Sequence, residues 1–463
     1  MPGGRNERAY CEACRYKTSY QRDPKDQEWR KIMKKILCMF LATLMTLGLA
    51  ACGSENQEAA SEAGFRPSLD TSIECSIIVA GGYDNFEALE AEFDRFNEYY
   101  PNVELTYTKI DDYNNMIGMV LDGNDAPDIY VNYSWMYGRE QYQSSIDHAE
   151  DLSDPALGLD LDCIRSNIIL NTKDGTLPMV PVFSNTYGML VNNSLFEKEG
   201  LSVPTSYQEL VDVCAAFREK GYENPMMGFS NEETTSLFTL TAYPLFCETV
   251  ANDPGAVEKL NALDPSAGEY MRPALEKMVQ FLNDGCVDPA ACAEIADNYD
   301  AVILRFFEGD VPMMFCSGDT VSGTKKRESR SEAFIASPFT YTFAPIPISD
   351  EGAIFLDMPN LQFSVNKDSQ ELDMANEFMR FLITSEELNN MAQNKGLVSP
   401  TKDLSFNSVY AAFGDVPESR IMSPEVIGLT EDAVFQMRQA AYGVGTGAMT
   451  IDEAIAGFGT YTN

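Results

Sequence analysis

The chain has few histidines, few tryptophans and few basic residues for its length. Its 463 residues include one His and two Trp, and 33 Lys and Arg stand against 71 Asp and Glu, for a net charge of −38. From Gly53 onward the counts are 23 basic and 66 acidic residues. Such a chain has no basic field with which to displace the counterions of phosphates, so its charge excludes nucleic acid and anionic lipid headgroups as partners.

The scarcity of histidine leaves little support for catalysis. No catalytic Cys or Ser motif surrounds the single histidine, His148, and Gly81-Gly82 is not a dinucleotide fingerprint. The pair Asp111-Asp112 has the chemistry for glycoside hydrolysis, but it stands at a predicted helix start, where carboxylates serve as caps. We expect a protein that is not an enzyme and needs no cofactor, with a secreted carbohydrate-active enzyme as the weaker alternative.

Cysteine is present, but its spacing does not form a disulfide framework. Seven cysteines follow Cys52: Cys75, Cys163, Cys214, Cys247, Cys286, Cys292 and Cys316. Their number is odd and their spacing irregular, which favours free buried thiols, although Cys286 and Cys292 are near enough in sequence to bridge. An apolar core must hold the fold, and 44% hydrophobic residues are sufficient for one.

One uncharged apolar run stands near the start of the chain. It covers Ile36–Leu49, follows Met33-Lys34-Lys35 and ends at Ala50-Ala51-Cys52. This run is short for a hydrocarbon layer of about 30 Å and is typical of a signal peptide, which we assign to residues 33–51. The small residues before Cys52 resemble the lipobox of bacterial lipoproteins, in which that cysteine becomes the lipid-modified first residue.

The segments on either side of the signal peptide lie outside the expected folded body. Residues 1–32 are interpreted as an over-extended N-terminus, and Cys11 and Cys14 supply only two of the four ligands of a structural zinc, so no metal site is predicted. Residues 52–73 are small, polar and acidic, a composition typical of a flexible tether with a span of roughly 25 Å.

The remaining chain alternates strands and helices and is too long for one core. A buried strand at Cys75–Ala80, a helix from Asn85 to about Tyr99 and an alternating strand at Val103–Tyr107 open the folded part. This alternation indicates an α/β fold with a mainly parallel sheet covered by helices. Because single cores stop growing at about 250–300 residues, we expect two lobes.

The stretch Val180–Leu201 is the best candidate for a crossing between lobes. Its apolar run Met189–Val191 suits a buried strand, and Asn192-Asn193-Ser194 supplies a turn and a cap for a short helix that ends at Gly200. A plain join within one large domain is the alternative.

Further motifs follow the lipobox and tether in a fixed order: Gly123–Asp128, Val191–Gly200, Pro204–Leu210, Phe307–Met314 and Ala448–Ala454. Together they resemble the bacterial extracellular solute-binding proteins of family 1, the receptors of ABC importers, which are similar in fold to maltose-binding protein. The resemblance covers about Cys75 to Phe458.

The resemblance implies a type II, two-lobe clamshell fold with three crossings between the lobes. We assign these crossings to about Phe183–Asn185, Phe343–Pro345 and Phe363–Val365. Lobe 1 then comprises residues 74–183 and 346–363, and lobe 2 comprises residues 185–343 and 366–463.

The resemblance also implies a function. A small solute, in this family usually a sugar or oligosaccharide, is expected to lie in the cleft between the lobes. Closure of the cleft then presents both lobes to the permease subunits of an ABC transporter. The protein is expected on the outer face of the membrane, anchored through lipidated Cys52, as a monomer. A ligand sensor for a signalling system would have the same fold and stays an alternative.

Ligands of open α/β sheets lie beyond the carboxyl ends of the strands, which selects the candidate contacts. Tyr83 and Asp84 follow the first strand, and Asn132 and Trp135 follow the strand that begins after Asp128. An aromatic face covers the C–H side of a sugar ring, and Asp and Asn bond its hydroxyls. Trp135, the one tryptophan after Cys52, is the favoured platform. Core or rim packing for Trp135 and a turn at Tyr83-Asp84 are the alternatives.

Four further candidates lie near the expected crossings. Asn185 and Tyr187 flank the first of them, with hinge packing as the alternative. Asp319 follows a predicted strand at Met313–Cys316. Asn360 stands where the resembled family usually has a Gly-rich turn, so a backbone contact there is in doubt.

The lipobox generates a prediction about the mature N-terminus. Mass spectrometry of the protein extracted from membranes should find Cys52 as the first residue, carrying acyl chains. Cys52→Ala should release the protein from the membrane fraction. An unlipidated protein that starts at Met1 would contradict both the signal peptide and the anchor.

Overall fold

The computed structural model describes residues 64–231, 234–253, 255–295, 299–404 and 407–462. The predicted signal peptide, Cys52 and the tether up to residue 63 lie outside this part. Residues from Phe65 onward form one compact unit. None of the described helices has the length and apolar character that crossing a membrane requires. The seven cysteines after Cys52 are free thiols, and six of them are buried.

The described strands are β1 (Cys75–Gly81), β2 (Val103–Lys109), β3 (Ile129–Asn132), β4 (Val180–Asn185), β5 (Tyr187–Asn192), β6 (Met226–Gly228), β7 (Met313–Ser317), β8 (Tyr341–Ala344), β9 (Phe355–Leu356), β10 (Met358–Val365) and β11 (Ile421–Met422). The α-helices span Glu87–Phe96, Tyr113–Leu121, Gln143–Asp147, Asn193–Glu199, Tyr207–Glu219, Leu237–Ala251, Ala256–Asn261, Arg272–Asn283, Pro289–Cys292, Tyr299–Phe306, Gly318–Ser322, Thr324–Glu328, Glu332–Ala336, Leu372–Leu382, Ser385–Lys395, Pro424–Ile427, Glu431–Gly445 and Ile451–Ala456.

Two separate sheets carry the two lobes. The first has the order β2-β1-β3-β10-β4 and the second the order β6-β7-β5-β8, while β9 and β11 form a short parallel pair. In each sheet one strand runs against the others: β10 pairs antiparallel with β3 and β4, and β5 pairs antiparallel with β7 and β8. Both reversed strands are the ones that enter directly from the other lobe.

The structure around the first crossing has the helix cap and the helix end that the sequence predicts. The side chain of Asn192 accepts a hydrogen bond from the backbone N–H of Leu195 at 3.1 Å and so caps the helix Asn193–Glu199. Gly200 ends that helix with a φ of +67°, a left-handed conformation that glycine adopts without strain. The crossing itself falls at Thr186, between β4 and β5, directly after the predicted Phe183–Asn185.

The other two crossings differ from the predictions. Residues 346–356 pack in the core of the second sheet, so the chain returns to the first sheet at Asp357, not at Phe343–Pro345. Phe363 and Val365 lie inside the core of the first sheet, and so do the helices Leu372–Leu382 and Ser385–Lys395. The third crossing comes only between Leu397, in the first core, and Val398, in the second.

The predicted lobe boundaries therefore need two corrections. Residues 366–397 belong to the first core, not to lobe 2, and residues 346–356 belong to the second core, not to lobe 1. The physical reason is that an apolar helix face can pack against either sheet equally well. The pattern of apolar residues in a segment therefore does not indicate which of the two cores the segment joins.

A buried ion pair joins all three crossings. Nε and Nη2 of Arg165 bond the two carboxylate oxygens of Asp357 at 2.6 and 2.9 Å. Asp357, which is the second crossing, also accepts a hydrogen bond from the hydroxyl of Ser184 at the first. Nη1 of Arg165 donates to the carbonyls of Ser399 and Thr401, at the third, at 2.7 and 2.5 Å. The side chains of Arg165 and Asp357 are 7% and 0% exposed.

Backbone contacts reinforce this hinge network. The N–H of Ser184 donates to the carbonyl of Val398 at 2.9 Å, and the N–H of Arg165 donates to the carbonyl of Pro400 at 3.0 Å. Asn167 donates a fourth hydrogen bond to the Asp357 carboxylate at 2.9 Å. Because nearly every polar atom of the pair has a partner, its desolvation is compensated.

Removing one partner of this pair should be costly. Asp357→Asn leaves the Arg165 guanidinium buried without a counter-charge, which is expected to lower the free energy of unfolding by about 3–5 kcal/mol. Urea denaturation followed by circular dichroism measures the loss. Asp84→Asn is the matched control, since its ion pair with Lys109 is exposed and should leave the urea midpoint unchanged. Equal midpoints for the two variants would contradict a dominant role for the buried pair.

Candidate ligand-binding cleft

A cavity of about 500 Å³ opens between the two lobes. The first lobe lines it with the segment after β3, residues 134–139, together with Leu170 and Lys173. The second lobe contributes Tyr243, residues of the stretch 424–434, and Arg438. Met358, the first residue of β10, lies at the hinge end. This volume lies within the range of about 300–1,000 Å³ that is typical of small-molecule sites.

A second cavity of about 420 Å³ adjoins the first. Both are lined by Trp135 and Arg139 from the first lobe and by Glu431, Asp432 and Arg438 from the second. The shared walls make the two cavities parts of one elongated cleft, with Trp135 at the place where they meet.

Aromatic neighbours fix the orientation of Trp135. Its ring is stacked on Tyr133 with centroids 5.7 Å apart and an angle of 23°, and Tyr142 meets it edge-on at 5.1 Å. The Arg139 guanidinium lies 5.6 Å from the centre of the Trp135 ring. Trp135 is half-buried, so a rigid, partly exposed aromatic surface lines the cleft.

Arg438 dominates the opposite wall. Its guanidinium lies 5.8 Å from the ring centre of Tyr243, and Nη1 is 3.5 Å from a carboxylate oxygen of Glu431. It also lies near Tyr187, whose pKa is raised by burial. Among the described residues, Nε of Arg438 is buried without a hydrogen-bond partner.

Glu425 is a second polar group of that wall. Its carboxylate accepts a hydrogen bond from the Ser423 hydroxyl at 3.1 Å. Burial raises the pKa of Glu425 to about 7, and the neighbouring carboxylates of Glu431 and Asp357 contribute to the rise. This side chain therefore changes its charge near neutral pH.

Three predicted contacts come together beside the first crossing. Asp319 accepts hydrogen bonds from Nδ2 of Asn185 at 2.6 Å and from Nδ2 of Asn360 at 3.0 Å. Burial raises the pKa of Asp319, while the two amides and the nearby Lys395 oppose the rise. Asp319 belongs to the second lobe and both asparagines to the first, so the cluster bridges the lobes close to the hinge.

The other predicted contacts have different surroundings. Trp135 lines both cavities. Tyr83 lies under the ammonium of Lys395, 4.2 Å from its ring centre, and Tyr187 is buried against Tyr243. Asp84 is exposed and bonds Lys109 at 2.6 Å, which lowers the pKa of its carboxyl.

Asn132 is fully buried and does not reach the cleft. Its Nδ2 donates to the carbonyl of Ser145 at 3.2 Å and to the hydroxyl of Ser364 at 3.1 Å, and its Oδ1 accepts from the N–H of Tyr133. All four residues of β3 are buried, so the polar end of this strand serves the interior of the first lobe.

Several cleft residues were not among the predicted contacts: Arg139, Tyr243, Glu425, Glu431 and Arg438. Arg139 lies farther after β3 than Trp135, and Tyr243 lies within the helix Leu237–Ala251. Glu425, Glu431 and Arg438 lie on helices that follow the third crossing and form the second wall, so the correct position of that crossing would have indicated them. Among the described residues no group of three or more His, Cys, Asp or Glu is arranged to hold a metal ion.

Known proteins share both sequence and fold with this chain. A family model described as bacterial extracellular solute-binding protein matches residues 91–414. The melibiose/raffinose/stachyose-binding protein MelE of Bacillus subtilis is 22% identical over 404 residues, which cover 83% of this chain and 86% of MelE.

Solved structures show the same architecture. Apo RafE from Streptococcus pneumoniae superposes with a TM-score of 0.64 at 16% identity, covering 85% of this chain and 98% of RafE. The sugar-binding protein MalE from Xanthomonas citri gives a TM-score of 0.63 at 17% identity, over 83% of this chain and 95% of MalE. These similarities confirm the predicted two-lobe, type II fold with its interlobe cleft.

Proposed function

Because the chain belongs to the bacterial extracellular solute-binding proteins, we propose that it is the lipid-anchored receptor of an ABC importer and that its solute is a sugar, most simply an oligosaccharide. The observation that carries this proposal is the interlobe cleft, with the aromatic face of Trp135 on one side and the polar wall of Glu425, Glu431 and Arg438 on the other.

The chemistry of the cleft favours an uncharged, hydroxyl-rich ligand. Its first cavity is lined by three cations, Arg139, Lys173 and Arg438, and by the three carboxylic acids Glu425, Glu431 and Asp432. Acidic and basic groups in equal number give little net attraction for an ion, whereas they offer donors and acceptors to hydroxyls. An aromatic platform suits the C–H face of a pyranose ring.

The relatives support the same ligand class. MelE is described as binding melibiose, raffinose and stachyose, and RafE has been solved in complex with raffinose. Raffinose, stachyose and melibiose are therefore the first ligands to test.

Binding is expected to close the cleft. A ligand that contacts Trp135 in the first lobe and Arg438 in the second stabilises the closed arrangement more than the open one, and so shifts the population toward it. The proposed partners are the permease subunits of the transporter, which meet both lobes of a monomeric receptor held at the membrane by lipidated Cys52. The role is delivery, without turnover of the sugar.

The proposal is tested by thermal unfolding in the presence of sugars. Raffinose, stachyose and melibiose should raise the melting temperature of the mature chain, because a ligand at 100 times its Kd stabilises by about 2.7 kcal/mol. Maltose and glucose serve as comparison sugars. No shift with any sugar, confirmed by calorimetric titration, would overturn the assignment of a sugar ligand.

Trp135 generates a second prediction. Trp135→Ala removes the aromatic face from both cavities and should weaken raffinose binding tenfold or more, which corresponds to about 1.4 kcal/mol. Calorimetric titration measures the change, and circular dichroism verifies the fold. Tyr270→Ala is the control, because that ring lies in the second lobe and bonds Asp253 at the surface. Unchanged affinity in Trp135→Ala would assign this side chain to packing alone.

A further inference from the structure

Glu425 stands where the cleft meets the hinge. It belongs to the short helix Pro424–Ile427, which follows the third crossing and packs against the turn Ser166–Ile168 of the first lobe. Its side chain lines the first cavity. The carboxylate bonds Ser423, a weak neutral donor, so most of its acceptor capacity remains for a molecule in the cavity.

The charged and titratable groups around Glu425 do not neutralise it. Glu431, on the helix Glu431–Gly445, and Asp357, before β10, are carboxylates like itself. Arg165, in the segment that packs against its helix, is already bonded to both carboxylate oxygens of Asp357 through Nε and Nη2.

The remaining groups are a phenol and a thiol near Glu425, and the other charged residues that line the cavity: Asp432, Arg139, Lys173 and Arg438. Tyr243 and Cys247, on the helix Leu237–Ala251, are both neutral because burial raises their pKa values. Arg438 lines the same cavity, but its closest carboxylate is Glu431. Glu425 is thus a half-buried acid that lines the cleft without a bonded cation among the described residues.

We propose that Glu425 is a ligand-contacting residue of the second lobe, that its carboxylate accepts hydrogen bonds from two hydroxyls of the bound sugar, and that binding therefore expels its proton to solvent. This inference rests on the proposed function, since it names the group that recognises the sugar in that same cleft. The step is a simple exchange: the O–H bond of the carboxylic acid breaks, the proton leaves to water or buffer, and sugar O–H groups donate to the resulting carboxylate.

The direction of the pH dependence follows from the two protonation states. In the free protein Glu425 is half-protonated near pH 7, because burial raises its pKa to about that value. Hydroxyl donors bond the charged form more strongly, so the bound sugar lowers this pKa. Affinity is then highest above pH 7 and falls as the pH drops through 7, by up to tenfold per pH unit for one linked proton.

Arg438 complements this role. Its buried Nε has no partner among the described residues, and it lines the same cavity. A sugar hydroxyl that donates to Glu425 has lone pairs left to accept from a guanidinium N–H. An apolar solute in the cavity would make neither hydrogen bond.

The experiment is calorimetric titration of the mature chain with raffinose at about pH 5.5 and about pH 8.5, on either side of the pKa. Wild type should lose affinity tenfold or more at the lower pH. Near pH 7, titrations in two buffers of different ionisation enthalpy should show net proton release on binding. This second readout needs no variant, so it stands even if a substitution impairs folding.

Glu425→Gln and Glu431→Gln form the matched pair of variants. Glu425→Gln should bind raffinose more weakly than wild type at pH 8.5 and with the same affinity at both pH values. Glu431→Gln alters the same wall but should keep the pH dependence, with its midpoint moved downward because a neighbouring negative charge is lost.

The possible failures are distinguishable. Raffinose binding with a flat pH profile and no proton release would overturn the role of Glu425 while the sugar-receptor function stands. The same holds if Glu425→Gln retains the wild-type pH dependence. Absence of binding to raffinose and to every other sugar would overturn the proposed function, and the inference about Glu425 with it.

Discussion

The structure depends on one buried ion pair at the place where its two halves meet. Arg165 bonds both carboxylate oxygens of Asp357 through Nε and Nη2, and the remaining contacts of the pair reach all three crossings of the chain. When the lobes of a two-lobe protein move, the segments that connect them must stay together. The ion pair, whose polar atoms are bonded from every crossing, holds the three crossing segments at one point, about which the lobes can turn.

The cleft follows from this arrangement. The hinge brings Asp319 of one lobe onto Asn185 and Asn360 of the other, and it places the helix Pro424–Ile427 against the first lobe. Farther out, the walls are built differently: the first lobe supplies an aromatic surface around Trp135, and the second supplies the half-buried polar groups Glu425 and Arg438. One wall offers apolar contact and the other hydrogen bonds, which is the combination that a sugar ring requires.

The sequence was informative where short-range patterns decide the structure. The capped helix Asn193–Glu199 and the first crossing follow from residues within a few positions of each other. The later crossings could not be predicted in this way, because the sequence of a strand or helix does not indicate which of the two sheets it packs against. The helices Leu372–Leu382 and Ser385–Lys395, for example, pack in the first core. The candidate site could be predicted only to the same extent. Trp135 and Asn132 were both chosen for their position after a strand, but Trp135 lines the cleft whereas Asn132 is buried. Glu425 and Arg438 reach the cleft through tertiary contacts that no local pattern predicts.

The most direct test of this account is small-angle X-ray scattering of the mature chain with and without raffinose, at a concentration that calorimetry shows to be saturating. If the ligand binds between the lobes and draws them together about the Arg165–Asp357 hinge, the radius of gyration should decrease on binding and return when the sugar is removed. An unchanged radius of gyration in the saturated protein would contradict binding by closure of the interlobe cleft.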